Sequence, residues 1–407
     1  MESPRELSSD ILCEILSRST LETVGRCRLV SKDCNNLTYE HGFKALHHER
    51  ANIASGWFVQ NMVKCKHYSA FVSINDDHNN NKSSCPKPTK LSLDFLPVRA
   101  AKIEASSCQG LLLCTNDNNG RGIPSYFVCK PTTQEWERLP NPKTRNPTKA
   151  TALMVLGSNP LHYKIVRLSM PKSIPKPRPG ECGKCYNLRL EIFDSKLFTW
   201  KQLPEVDLLR PDHSFLGSRP PVSASGSLHW LPHGSEKPSI FAFHGNNDTC
   251  SLISLPRQEY PPENPDPSLK IAEYMGKLAL MIRVDISSID LWVMEDYEKR
   301  VWHKRQTINI EPLTRLPNNV SLSLFHDSEV ALVEHHCHHL IFYNIKTLKF
   351  DMVSVPNRIE TGGIFPYQSD FELCNIGKGK GKKAAQGWKM MMTSLQSVGK
   401  LFSSLYL

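Results

Sequence analysis

The chain has 407 residues, 40% apolar and 22% charged, with a formal net charge of +10. This is ordinary globular composition, too long for one small core, and one large domain plus a small one is the natural division. Its longest apolar run, LALMI at 278–282, falls far short of the roughly 18 residues a spanning helix needs, and no apolar leader follows MESPRELSSD, so a cytoplasmic or nuclear setting is expected. Thirteen cysteines, an odd number scattered singly, read as reduced thiols. Basic residues are spread along the chain with one dense run near the C-terminus, which fits a solvated surface better than a nucleic-acid groove.

The first predicted element lies in LSSDILCEILSRS at 7–19. Ser8 or Ser9 can cap a helix, Asp10 suits the positive end of its dipole, and Ile11, Leu12, Ile15 and Leu16 fall on one stripe that ends near Ser17. A second helix is predicted from Thr20, with Glu22 in its first turn and Leu21 and Val24 inward; a third is capped by Ser31 and uses Leu29, Val30, Cys34 and Leu37. Three helices in about forty residues bury too little surface to stand alone and need a partner or the rest of the chain.

The run Leu7, Asp10, Ile11, Leu12, Glu14, Ile15 and Leu16, followed by Arg26, Arg28, Leu29, Val30, Ser31 and Lys32, resembles an F-box across residues 5–47, within a small domain of 1–50. That family docks on the Skp-type adaptor of a cullin-based ubiquitin ligase. The resemblance implies adaptor contacts at Leu7, Ile11, Leu12, Ile15, Leu16, Leu29, Val30 and Cys34. Ser8 stands where the family usually has proline, Ser19-Thr20 where it has Leu-Pro, and Cys34 where it has tryptophan. The alternative is that these helices simply pack against the following domain.

NDDHNNNKSSCPKPTK at 75–90 is predicted to be disordered. Beyond it a repeat emerges. A turn residue precedes a large side chain by six in KPTTQEW (Trp136), DSKLFTW (Trp200), NNDTCSL (Leu252), DYEKRVW (Trp302) and NIKTLKF (Phe350). The key positions step by 64, 52, 50 and 48 residues. In four of the five Asp or Asn opens the turn by bonding its own backbone, the large side chain sits mid-strand, and Leu188, Leu190 and Ile192 alternate with polar neighbours as strands do. Gly110, Gly226 and Gly276 each lie 26 residues before a key position, so the unit is predicted to be a four-stranded sheet beginning at the glycine strand.

Units of about 50 residues that cannot stand alone close most often into a β-propeller. The pattern resembles the kelch-like F-box-associated domain of large plant families and is assigned to 55–376. Two β-sandwiches also suit short strands with frequent turns. Five units are countable, and whether the flanking residues complete six or seven blades stays open.

Sites for chemistry are few. Cys182 and Cys185 form a lone C-x-x-C, and His335, His336, Cys337, His338 and His339 lie between strand-like runs where at most three side chains share a face, so no metal, cofactor or catalytic residue is expected. Loops 171–184 and 258–268, proline-rich and oppositely charged, are the recognition candidates, without named substrate-binding residues. Within 377–407 a basic linker precedes Trp388, Met391, Met392, Leu395, Val398, Phe402 and Leu405 at helical spacing; a plain tail that packs on the domain or stays loose is preferred to an amphipathic tail helix, and no membrane contact is expected. The expectation is therefore a small all-α F-box followed by a mainly all-β propeller. It would act as a non-enzymatic receptor whose partners are the Skp-type adaptor, through it a cullin, and a protein substrate, with no nucleic acid. The competing class is a propeller scaffold with no ligase role or, behind it, a kelch-type redox enzyme.

Overall fold

The computed structural model describes residues 8–19, 23, 24, 27, 31–39, 43, 46, 47, 55–64, 66–73, 91–107, 109–116, 124–158, 161–170, 186–203, 206–208, 220–231, 239–256, 269–316, 321–325, 330–335, 339–354 and 363–369. Near the N-terminus lie α1 (Ser9–Ser17) and α2 (Lys32–Tyr39). Ser8 caps α1, its Oγ accepting from Ile11 N at 3.4 Å, and Ser31 Oγ accepts from Cys34 N at 3.3 Å at the start of α2. The predicted 75–90 segment and the 377–407 tail lie outside the described residues.

The rest of the described chain forms six antiparallel sheets, which we number as blades. Blade 1 holds β1 (Ser55–Val63) and β2 (Lys66–Ser73). In blade 2 are β3 (Lys102–Ser106), β4 (Leu112–Thr115), β5 (Tyr126–Lys130) and β6 (Glu135–Arg138). Blade 3 comprises β7 (Thr148–Ser158), β8 (Leu161–Ser169), β9 (Tyr186–Asp194) and β10 (Thr199–Gln202), with β11 (Val206–Leu208) pairing β9 beyond β10. Blade 4 runs through β12 (Val222–Ala224), β13 (Ser227–Trp230), β14 (Ser239–His244) and β15 (Thr249–Ser254). Blade 5 contains β16 (Lys270–Tyr274), β17 (Lys277–Arg283), β18 (Ser288–Asp296) and β19 (Val301–Asn309), then the short α3 (Glu311–Thr314). Blade 6 has β20 (Ser321–Phe325), β21 (Val330–His335), β22 (His339–Asn344) and β23 (Lys349–Ser354). The last strand, β24 (Ile364–Gln368), pairs β1 and gives blade 1 the order β2-β1-β24.

Inner strands such as β4 and β5 are buried along their whole length because every sheet is covered on both faces by its neighbours. Leu113, Val128, Ile165 and Phe193 fill the layer between blades 2 and 3; Val166, Ile192, Leu228 and Phe243 fill that between blades 3 and 4. Ile240, Ile253, Leu278 and Met294 join blades 4 and 5, and Met281, Leu291, Leu322 and Ile341 join blades 5 and 6. Trp57 and Ile364 meet Leu340 of blade 6, while Phe58 and Phe365 meet Ile103 and Leu112 of blade 2. The layers thus run from each blade to the next and back to the first, and the molecule is a six-bladed propeller closed by its own C-terminal strand. This corrects the two-sandwich alternative and supplies the blade number that the repeat left open.

Repeated turns explain the spacing. Gly110, Gly226 and Gly276 have φ of 71°, 67° and 78° and connect the first and second strands of blades 2, 4 and 5. Nothing lies within 4 Å of where a Cβ on Gly226 would stand, so glycine is required there by backbone conformation and not by crowding. Each of these blades therefore begins one strand before its glycine, a correction to the predicted unit. Asp194 Oδ1, Asp296 Oδ1 and Asn344 Oδ1 accept from the backbone N–H groups of Lys196, Lys299 and Lys346 at 2.9, 2.9 and 3.0 Å, as the turn reading expects.

Trp136, Trp200, Trp302 and Phe350 all fall on the outermost strand of their blades, in register with Cys129, Phe193, Met294 and Tyr343. In blade 4 the residue in that register, opposite Phe243, is Cys250; Leu252 lies two further on and is 49% exposed, which corrects the predicted third repeat. Two of the tryptophans also tie neighbouring blades together. Trp200 Nε1 donates to Pro140 O at 2.7 Å, and Trp302 Nε1 donates to Ser254 O at 3.1 Å.

Candidate functional site

The helical region is built around Leu16, Val24, Cys34 and Phe43, with Leu12, Cys13, Cys27 and Leu37 packed against them. His47 Nε2 lies 2.8 Å from Ser19 O and holds the end of α1 against the later residues. Leu16 and Cys34 are only 3% and 7% exposed, so they serve this core from within. One turn around the same helix, Ile11 and Ile15 stay 50% and 51% exposed, leaving an apolar stripe at the surface with a half-buried Leu12 at its edge. Leu7, Leu29 and Val30 lie outside the described residues. The described members of the predicted contact set therefore divide into two outward isoleucines, Leu12 at their edge, and two core residues.

Antiparallel order also sorts the propeller's connections. The turns between first and second and between third and fourth strands emerge on one face, and those between second and third strands or between blades emerge on the other. The first set is short: residues 131–134, 195–198, 245–248, 297–300 and 345–348 each make a four-residue turn. Loops 171–184 and 258–268 belong to the second set, between β8 and β9 and between β15 and β16, and lie outside the described residues. Both recognition candidates thus leave from the same face, as does the 284–287 turn, where Val284 and Ile286 are exposed. That turn is braced by Asp285, whose carboxylate accepts from the hydroxyls of Ser288 and Ser287 and from Ser287 N; these bonds lower its pKa to about 2.

Side chains with reactive chemistry are committed elsewhere. Arg167 and Glu191 form a fully buried ion pair, with Thr144 N and Oγ1 donating to Glu191 at 2.9 and 2.7 Å and Arg167 Nε donating to Thr148 Oγ1 at 2.9 Å. Every strong contact of the pair is internal, and it pins the connection between blades 2 and 3. His229 lies between blades 4 and 5, with Nδ1 3.2 Å from Val222 O and Nε2 2.8 Å from Tyr297 OH. Burial lowers its pKa to about 4, so it is a neutral structural imidazole. Cys182, Cys185 and residues 336–338 of the histidine run lie outside the described residues, while His335 and His339 face each other across a hairpin. No group of three or more His, Cys, Asp or Glu that could hold a metal lies among the described residues.

Comparison with known proteins gives both regions a match. A family model described as F-box domain matches residues 5–45, and one described as F-box associated beta propeller domain matches residues 59–372. F-box protein At5g41720 of Arabidopsis thaliana is 38% identical over 200 residues, which cover 48% of this chain and 99% of that protein. From the same plant, F-box protein At5g49610 is 26% identical over 66% of this chain and 72% of its own length, and F-box protein CPR1 is 27% identical over 74% and 72%.

Proposed function

We propose, from the premise that this chain belongs to the plant F-box proteins with an F-box associated β-propeller, that it is the substrate-recognition subunit of an SCF-type ubiquitin ligase. F-box domains generally bind Skp-type adaptors. The observation that carries the reading here is the half-exposed Ile11 and Ile15 on α1, whose neighbour Leu16 already fills the helical core. Ile11 and Ile15 would enter the adaptor, with Leu12 at the rim and Leu7, Leu29 and Val30 completing the contact. Leu16 and Cys34 would act indirectly, by fixing the helices that present it.

The propeller would hold the target on the face that carries the long connections, and the adaptor would link the chain to a cullin. Transfer of ubiquitin would come from proximity supplied by other subunits, so the chain itself needs no catalytic residue. The kelch-like character of the blades rests on their repeated glycine turns and outer-strand aromatics. A cytoplasmic or nuclear location follows from where the adaptor and cullin would have to meet it.

Reconstitution tests this reading. The intact chain, mixed with recombinant Skp-type adaptor and the cullin's N-terminal region, is expected to elute as a ternary complex on size exclusion. Failure to retain the adaptor at micromolar concentrations would leave the propeller as a scaffold without a ligase role.

A further inference from the structure

The ring covers both faces of blade 1 but not its outer edge. Each of the other blades has at least four strands, whereas among the described residues blade 1 has three, in the order β2-β1-β24. β24 takes the inner place beside β3, so β2 is the third strand out and no described fourth strand follows it. Register shows which way its backbone points. Gln60 N donates to Gly363 O at 2.6 Å, so Gln60 faces the β24 side, and its partner Ser69 has N–H and C=O turned away from β1. Pro366 opposite Trp57 fits the same alternation, since that position asks for no donor. Tyr68, Ala70 and Val72 therefore bond β1, while Ser69 and Phe71 present backbone groups outward, where no described residue pairs with them.

Native sheets normally blunt such an edge with short strands, bulges, charges or proline. The outer strands β6 and β10 have four residues each and β15 and β23 six; β19 is longer, but its register with β18 shifts twice. β2 is different. It runs eight residues in unbroken register with β1, with one lysine, no carboxylate and no proline. Such an edge is a template for one more strand.

Charge and side chains set what that strand would be. The described residues of blade 1 include Lys64 and Lys66, both exposed, and neither aspartate nor glutamate. The neighbouring segment, which packs with Phe71 through Leu93 and Phe95, adds Asp94 and Arg99, which offset each other; Asp94 also takes the Ser92 hydroxyl at 2.6 Å. Val63 and Tyr68 are diagonal neighbours on one face of the β1–β2 hairpin and stay exposed beside the edge. A second copy of the chain would bring the same lysines and no carboxylate, so the edge suits a foreign strand better than its own.

We propose that β2 accepts an extended acidic segment of another protein as the fourth strand of blade 1. Running antiparallel, the segment sets an apolar or aromatic side chain beside Tyr68 and carboxylates in its C-terminal half near Lys66 and Lys64. Main-chain hydrogen bonds hold it, and the charges choose it. Calling the segment part of a ubiquitination target rests on the receptor reading above; strand addition does not.

Fluorescence anisotropy on the intact chain tests this with a short labelled peptide that alternates threonine with valine and tyrosine and ends in two glutamates. It is expected to bind, with affinity falling as salt rises, and the same peptide ending in two lysines to bind at least about tenfold more weakly. N-methylation of the peptide's backbone amides should abolish binding. Ser69→Pro removes a donor that β1 does not use, so it should leave the melting temperature unchanged and abolish binding. Lys64→Glu with Lys66→Glu should reverse the preference between the peptides. Equal binding of the two peptides, no binding of either, or full affinity in a folded Ser69→Pro chain each overturns the proposal. If Ser69→Pro lowers the melting temperature, the N-methylated peptide decides alone, and its undiminished binding overturns the proposal. Self-association that Ser69→Pro abolishes, read by sedimentation, would give the edge to a second copy and overturn it as well. Adaptor binding, measured on the same preparations, separates the two ideas. Peptide binding without adaptor binding sinks the receptor reading alone, and adaptor binding without peptide binding sinks strand addition alone.

Discussion

On α1, Ile11 and Ile15 keep half their surface in water beside a core of four buried side chains, whereas Ile165, Ile240 and Ile341 in the propeller are wholly enclosed between neighbouring sheets. A ring of blades has no end, so each apolar face finds another of its own kind. The small helical region cannot do the same, and because Ile11 and Ile15 are already half-buried, what it leaves outside is worth about 1 kcal/mol for each isoleucine later buried. The propeller's faces are therefore finished by its own chain, whereas the helical region leaves at its surface the stripe that the proposal gives to the adaptor.

Breaking the propeller side should cost most at Arg167 and Glu191. Either residue replaced by alanine strands the other charge in the core, an expected loss of about 3–5 kcal/mol in denaturant unfolding. Arg167→Met combined with Glu191→Leu should recover most of it, and adaptor binding should not follow either change. Next in size is acid. An unfolded histidine takes its proton near 6.5, but His229 in the fold waits until about 4. Between those values the unfolded chain binds more protons, so stability is full above 6.5 and falls by about 3 kcal/mol as the pH drops to 4. Unfolding curves across that range check the sign, and His229→Gln should flatten them. Smallest is the helical cap: Ser31→Ala removes the acceptor for Cys34 N and should cost about 1 kcal/mol locally, weakening adaptor binding while the propeller's melting temperature stays put.

Local chemistry made part of this architecture readable in advance. Ser8, Ser31 and the end at Ser17 were visible because caps act within one turn of a helix, and Asp194, Asp296 and Asn344 because their side chains bond backbone two or three residues away. Other features depend on distant neighbours. β24 pairs β1 across some 300 residues, so no local pattern marks Ile364–Gln368 as the strand that completes blade 1. Cys250 takes the slot of a tryptophan because register places it opposite Phe243, while the spacing of large side chains points to Leu252.

Backbone strain was equally hidden. Gln134, Phe198, Asp248, Arg300 and Leu348 all adopt φ of 51–57° just before an outer strand, and these five residue types share no signature. Within the candidate site, the apolar stripe on α1 was legible but its division was not. Val24 and Phe43 decide that Leu16 turns inward while Ile11 and Ile15 stay out.

That division is open to one direct measurement: the affinity of the intact chain for the Skp-type adaptor, by titration calorimetry, for Ile11→Asp with Ile15→Asp beside Leu16→Ala. The exposed pair should abolish binding while circular dichroism and the propeller's melting temperature stay unchanged, and Leu16→Ala should weaken binding only to the extent that it loosens the helices. Undiminished binding by the aspartate pair would contradict the account, since a partner that buries this stripe cannot accept two charges in it.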